Sequence, residues 1–380
     1  MESDTRRCFI RRYFIQQTVG FASYTLERLV AISKVPDLAA AVTDLTIECE
    51  DDGVARLHPA ASADWNNDTC ARFTAISVTA GPLLTLALSR LPNVKDVHFV
   101  ERLPYESTEG EWGPCNITSS VATAMGAMHA CNTKPARILM YADSNLTTSV
   151  GIVEEFGLFR VAQVCSALET LQVGVLNIGV SQPLDVQHSL GGRLGKQFAL
   201  TIPHMTSLKE LNLNLDDAWY GKHIMQHIAS CQPLPPLVFI NLMGCSVQPR
   251  DLYGLLQGCC GTLKEFYALN IRLTESAERW LLSTFSVLAE QMKVEHLKLN
   301  GVFTDAGRLD FPTLDSAIFW DDEDEEDYIF VEGIAGVEFV GAEEVIRGVP
   351  ERFEEGLAGR EEERRRYGAS KYAGGDLGFY

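Results

Sequence analysis

The chain has 380 residues, 46% of them hydrophobic and 22% charged, enough apolar material for a long core with the charge fraction of an ordinary folded protein. A net charge of −19 argues against general nucleic-acid binding, because a surface of that sign repels phosphates. No apolar run approaches the roughly 20 residues that a membrane-crossing helix needs, so no membrane association is expected.

The first residues, Met1-Glu-Ser-Asp-Thr-Arg, lead into no clean apolar segment of the kind a signal peptide carries. An intracellular location, cytoplasm or nucleus, is therefore expected, with the ten cysteines held as reduced, mostly buried thiols. The charge is uneven, since the first 14 residues hold Arg6, Arg7, Arg11 and Arg12. Residues 1–41 are expected to form an N-terminal helical cap. Leu26, Leu29, Val30 and Ala31 share one face there, and Pro36 stops the helix.

From Val42 a frame of the form L-x-x-L-x-L recurs, with Val, Ile, Phe or Ala substituting. It opens eight times, at Val42, Val94, Ala136, Leu168, Leu208, Leu237, Leu263 and Val294. It is fullest at Leu237-Val-Phe-Ile240-Asn-Leu242-Met-Gly-Cys245-Ser-Val247, which fills the strand consensus of a leucine-rich repeat. Between frames the apolar period lengthens to that of a helix, as in Leu83, Leu84, Ala87 and Leu88, or Leu252, Leu255 and Leu256. One such repeat cannot bury its own apolar face, so the pattern predicts a stack. Stretches 49–72 and 101–118 break the period with Asp, Asn, Pro, Gly and Ser and are expected to be inserted loops.

The expected fold is an α/β, irregular right-handed leucine-rich-repeat solenoid, with parallel strands on the concave face and helices on the convex face. Its expected bounds are 1–41 for the cap and 42–318 for the solenoid. An acidic loop at 319–328, a C-terminal strand and helix cap at 329–367 and a disordered tail at 368–380 follow.

No constellation of catalytic type is found. His223 and His227 share a helix face, but the metalloprotease pattern needs Glu where Ile224 stands. Cys231, Cys245, Cys259 and Cys260 contain no C-x-x-C spacing, so zinc is not expected. Gly191-Gly192-Arg193-Leu-Gly195-Lys196 lacks the phosphate-loop frame, and the Asp216-Asp217 pair fits a loop or a helix cap. Asn116-Ile117-Thr118 matches a glycosylation acceptor only formally, in the absence of secretion. The acidic run Asp321–Asp327 reads as a solvated loop rather than a cation cage. No metal and no cofactor are expected.

The opening residues Arg11-Arg-Tyr-Phe14, then Leu26-Glu-Arg-Leu29-Val-Ala-Ile-Ser-Lys34, Pro36 and Val42-Thr-Asp-Leu45-Thr-Ile47, resemble the stretch that follows the F-box in filamentous-fungal F-box proteins with leucine-rich repeats. The resemblance covers roughly residues 10–310. It implies a substrate-recognition surface of a ubiquitin ligase, with an adaptor contact only if a Leu-Pro-started helical F-box lies upstream. The chain as given is expected to migrate independently of such an adaptor.

The resulting expectation is a non-enzymatic protein–protein recognition scaffold with a protein partner. An enzyme or small-ligand binder with a pocket at the irregular repeat ends is the alternative. The partner is expected on outward positions of the strands, at Asn212, Phe239, Asn241, Met243, Tyr267 and Lys298, where aromatic anchors sit among polar groups.

Overall fold

The computed structural model describes residues 2–21, 23–49, 80–101, 117–141, 162–175, 196, 200–215, 218–231, 233–274, 292, 294–304, 307–308 and 336–340. The chain divides into two units, Met1–Leu237 and Val238–Tyr380. Both are α/β, built on parallel strands connected through helices.

In the first unit α1 (Glu2–Phe14) leads into β1 (Gln16–Gly20), α2 (Ser23–Ser33) and α3 (Pro36–Ala39). Then come β2 (Asp44–Cys49), α4 (residues 80–88), β3 (Asp96–Glu101), α5 (Ile117–Ala130) and β4 (Arg137–Tyr141). A short 3-10 turn at Cys165–Ala167 precedes β5 (Thr170–Val175), another at Ile202–His204 precedes β6 (Glu210–Leu215), and α6 (Ala218–Ser230) follows. Strands β1 to β6 pair in sequence order, all parallel.

The second unit holds β7 (Phe239–Met243), β8 (Ser246–Val247), α7 (Pro249–Gly258), β9 (Glu265–Leu273) and β10 (His296–Thr304). Strand β9 lies between β7 and β10, parallel to both, and also pairs β8. Two short antiparallel partners of β10 complete it, β11 (Gly307–Arg308) and β12 (Gly336–Val340). β12 lies within the 329–367 stretch expected to hold a C-terminal strand and helix cap.

Register explains why the frame recurs. In each strand the residues three and five places after the opening face the core, since alternate residues point the same way. Leu211, Leu213, Ile240, Leu242, Leu297 and Leu299 are each at most 1% exposed. The main chain repeats the motif as well. The carbonyl one place after the opening accepts two N–H groups from the start of the next strand. Thr43 takes those of Lys95 and Asp96 at 2.8 and 3.1 Å. Lys95, Ala136 and Glu169 do the same in the first unit, and Val238 and Lys264 in the second.

Two expectations are corrected by this register. The frame placed at Ala136 is one residue late: Val97 pairs Ile138 and Phe99 pairs Met140. Ile138 is buried, whereas Leu139 is only half-buried. The true opening is Pro135, itself buried, so Ile138 and Met140 do not stand on the outer face and Arg137 and Leu139 do. A slip of one residue exchanges the two faces of a strand, and an apolar run such as Ile138-Leu-Met140 does not reveal its own parity.

The stretch 1–41 is likewise more than a helical cap. Strand β1 pairs β2 in the common register, Gln17 opposite Leu45 and Val19 opposite Ile47, and its Ile15 carbonyl accepts from Thr43 and Asp44. This is a further frame, opened by Phe14, with Gln where the others carry Leu, Ile, Val or Phe. Gln17 is buried, and its amide donates to the carbonyls of Tyr13 and Gln16 at 3.2 and 2.8 Å. Helix α2, whose buried residues are Leu26, Leu29, Val30, Ile32 and Ser33, packs against β1 and is its return helix. Pro36 does not merely stop α2; it occupies the first turn of α3, where its missing N–H costs nothing.

Among the described residues, strand β1 is also an edge. With Ile15 bonded toward β2, the carbonyls of Gln16, Thr18 and Gly20 point the other way. Each accepts a side-chain donor: Gln17 Nε2, Arg28 Nη2 at 3.1 Å and Thr25 Oγ1 at 2.6 Å. Acceptors that would template another strand are thereby occupied.

The second unit has its own backbone signature. Gly244, Asn270 and Gly301 all lie seven places after their openings, and all three have left-handed backbones, with φ of 63°, 52° and 65°. The next residues, Cys245, Ile271 and Val302, turn inward and are buried. Glycine and asparagine are the residue types that adopt this conformation at low cost.

Candidate functional site

The outward positions two and four places after each opening form two rows across β7, β9 and β10. Phe239, Glu265 and His296 make one row, and Asn241, Tyr267 and Lys298 the other. All six are half-buried. Tyr267 leans across to the first row. Its ring centroid is 5.0 Å from that of Phe239 and 5.0 Å from that of His296, edge-on to both. Its hydroxyl lies 3.3 Å from Glu265 Oε2, to which it donates, and 2.9 Å from His296 Nδ1. His296 Nδ1 is in turn 3.9 Å from the Glu265 carboxylate. Edge-to-face rings and a shared hydroxyl hold this group in one arrangement without burying it.

Next to it, Asn241 Oδ1 is buried with no hydrogen-bond partner among the described residues, which is costly unless a donor is supplied. Two places further on, Met243 pairs Leu269, and both are half-buried, so the apolar surface runs along β7 and β9 beside the rings. The residues named from sequence in this unit, Phe239, Asn241, Met243, Tyr267 and Lys298, therefore share one face. Asn212 belongs to the first unit, half-buried at the equivalent outward position of β6. Sequence reasoning left Glu265, His296 and Leu269 out of the site. The first two stand in the outward row already drawn, and Leu269 has the same parity.

One outward row of the first unit is polar throughout. Asp44, Asp96, Arg137, Thr170 and Glu210 follow one another across β2 to β6. Arg137 clamps Asp96 with both Nε, at 2.6 Å, and Nη2, and Thr170 donates to Glu210 at 2.9 Å. Asp96 and Thr170, although outward, are buried among these cross-strand neighbours. The Arg137 guanidinium holds the Asp96 carboxyl below its ordinary value of 3.8, against the opposing effect of burial. A depressed pKa means that the contribution is fully present above 3.8 and disappears as pH falls through the lower folded value. Arg137→Ala should cost about 1–2 kcal/mol at neutral pH, a modest figure because the guanidinium is half in solvent. The loss relative to wild type should shrink in acid below that window, as urea titrations at several pH values would record. An equal loss at every pH would show that the pair does not carry it.

Cys165, Cys245 and Cys259 behave as apolar core. Burial pushes the Cys165, Cys245 and Cys259 thiols up to about 12, far from the thiolate a metal or nucleophilic role requires. Cys165 and Cys260 each stand three places before an opening, at Leu168 and Leu263, yet Cys165 is buried and Cys260 exposed, and Cys259 is buried in its stead. Among the described residues no group of three or more His, Cys, Asp or Glu is arranged to hold a metal ion. His227 is half-buried on α6, whereas the His223 side chain lies outside the described residues. Outside them too lie Asn116, Asp216, Asp217, Gly191 to Gly195, the acidic run 321–327 and the tail from Gly368. Among the described residues no helix is long and apolar enough to cross a membrane.

In comparisons with known proteins, the chain matches no family model and no curated sequence.

Proposed function

We propose that this chain is a non-enzymatic protein–protein recognition scaffold made of irregular leucine-rich repeats of the right-handed solenoid type. On this reading it corresponds to the substrate-binding repeat region of an F-box protein. The repeating register and the recurring doubly bonded carbonyl in each unit support the repeat reading. The observation that carries the function is the cluster on the outer face of β7, β9 and β10. Phe239 and Tyr267 present ordered rings there, beside Met243, Leu269 and polar groups that include an unsatisfied acceptor on Asn241. Aromatic anchors flanked by polar groups are where interfaces concentrate their binding energy. Adaptor binding belongs to this reading only where an F-box accompanies the repeats.

The test is the double substitution Phe239→Ala with Tyr267→Ala, used as bait beside the wild type. A partner retained by wild type should be lost, since each anchor contributes about 2 kcal/mol or more at a hot spot. The melting temperature should stay nearly unchanged, because neither side chain is in the core. Normal retention by the double variant would refute the assignment of this face.

A further inference from the structure

The arginines of the first helix have no part in the cluster on β7, β9 and β10. Helix α1 is exposed along Asp4–Phe9 and Arg11–Tyr13. It is tied to the rest of the unit through half-buried Ile10 and Phe14 and through an Arg6–Asp37 ion pair of 2.9 Å to α3. Phe9 and Tyr13, one turn apart, stack at 4.8 Å between centroids and are each more than half exposed. Ile15 and Tyr24 add apolar surface in the same segment. Arg12 stands 5.8 Å above the Tyr13 ring. Among the described residues, Arg7 and Arg11 meet no carboxylate. A concentrated positive charge with exposed rings is thus displayed by a chain whose net charge is −19.

We propose that α1 is a docking helix for an acidic protein segment that carries apolar side chains. Arg7 and Arg11 would meet its carboxylates, and the Phe9–Tyr13 pair would receive its apolar residues. Charge complementarity selects this occupant. Within a screening length of about 8–10 Å, a bound segment experiences chiefly the charges of α1 itself, where four arginines stand against Glu2 and Asp4. An anionic bilayer would be opposed by the net charge of −19, and two rings do not make the broad apolar face that an interfacial helix buries. Addition of a strand at β1 is disfavoured by its capped outward carbonyls.

The experiment measures the anisotropy of a short labelled peptide alternating Glu and Leu, titrated with the full chain. The peptide should bind, and binding should weaken with salt. Arg7→Glu with Arg11→Glu should lower affinity about tenfold or more, and Phe9→Ala with Tyr13→Ala by a similar factor, both with melting temperature unchanged. Arg90→Glu, an exposed arginine elsewhere in the unit, should leave binding as it is. Absence of peptide binding overturns the proposal, as does equal weakening by Arg90→Glu. Capture by phosphatidylserine vesicles without peptide binding would overturn it in favour of lipid. Sedimentation showing that the arginine variants dissolve a self-associated form would assign the helix to a second copy instead.

Discussion

Leu242→Ala is expected to lower the stability of the protein by about 2–5 kcal/mol, the cost of truncating a fully buried leucine whose surroundings collapse only in part. Leu242 is fully buried on β7, and its partner in register across β9 is Ala268, also fully buried. Neighbouring frames rely on that contact, because each repeat buries its apolar face only against the next. The denaturant midpoint should fall with little change of slope, as for a folded but weakened domain. An unchanged midpoint would contradict the placement of Leu242 in the core. Leu269→Ala, one residue beyond the paired Ala268 and half-exposed, should cost clearly less.

Gly301→Ala is expected to cost about 1–3 kcal/mol through backbone strain alone, and more if Asn270 does not yield. Gly301 has φ of 65°, and a methyl group there meets the side-chain oxygen and main chain of Asn270 on the adjacent strand. Gly261 supplies the control: an added methyl meets open space, so Gly261→Ala should be near neutral. Combining Gly301→Ala with Asn270→Gly separates the two causes, since it removes the facing side chain and keeps the left-handed backbone. Thermal melts of the four proteins decide the matter. A fully restored melting temperature in the double variant would place the whole cost in the steric contact. No difference between Gly301→Ala and Gly261→Ala would contradict the left-handed kink.

The sequence by itself was enough to locate seven strands, because apolar residues three and five places after an apolar opening leave a strand one way to bury them. It likewise placed Phe239, Asn241, Tyr267 and Lys298 on one outward face, since parity along a strand is a property of spacing alone. Only tertiary structure decided three other matters. The parity of Ile138-Leu-Met140 was settled by pairing with Val97 and Phe99, because a continuous apolar run satisfies either face. Strand β1 was hidden by Gln17, a polar residue at a core position that is tolerated because its amide reaches the Tyr13 and Gln16 carbonyls. The Tyr267–His296–Glu265 group assembled from residues as far as 31 places apart, and no local pattern records a side chain leaning from one row to the next. Spacing fixes which way a side chain points; which neighbour it reaches depends on strands that meet only in the folded chain.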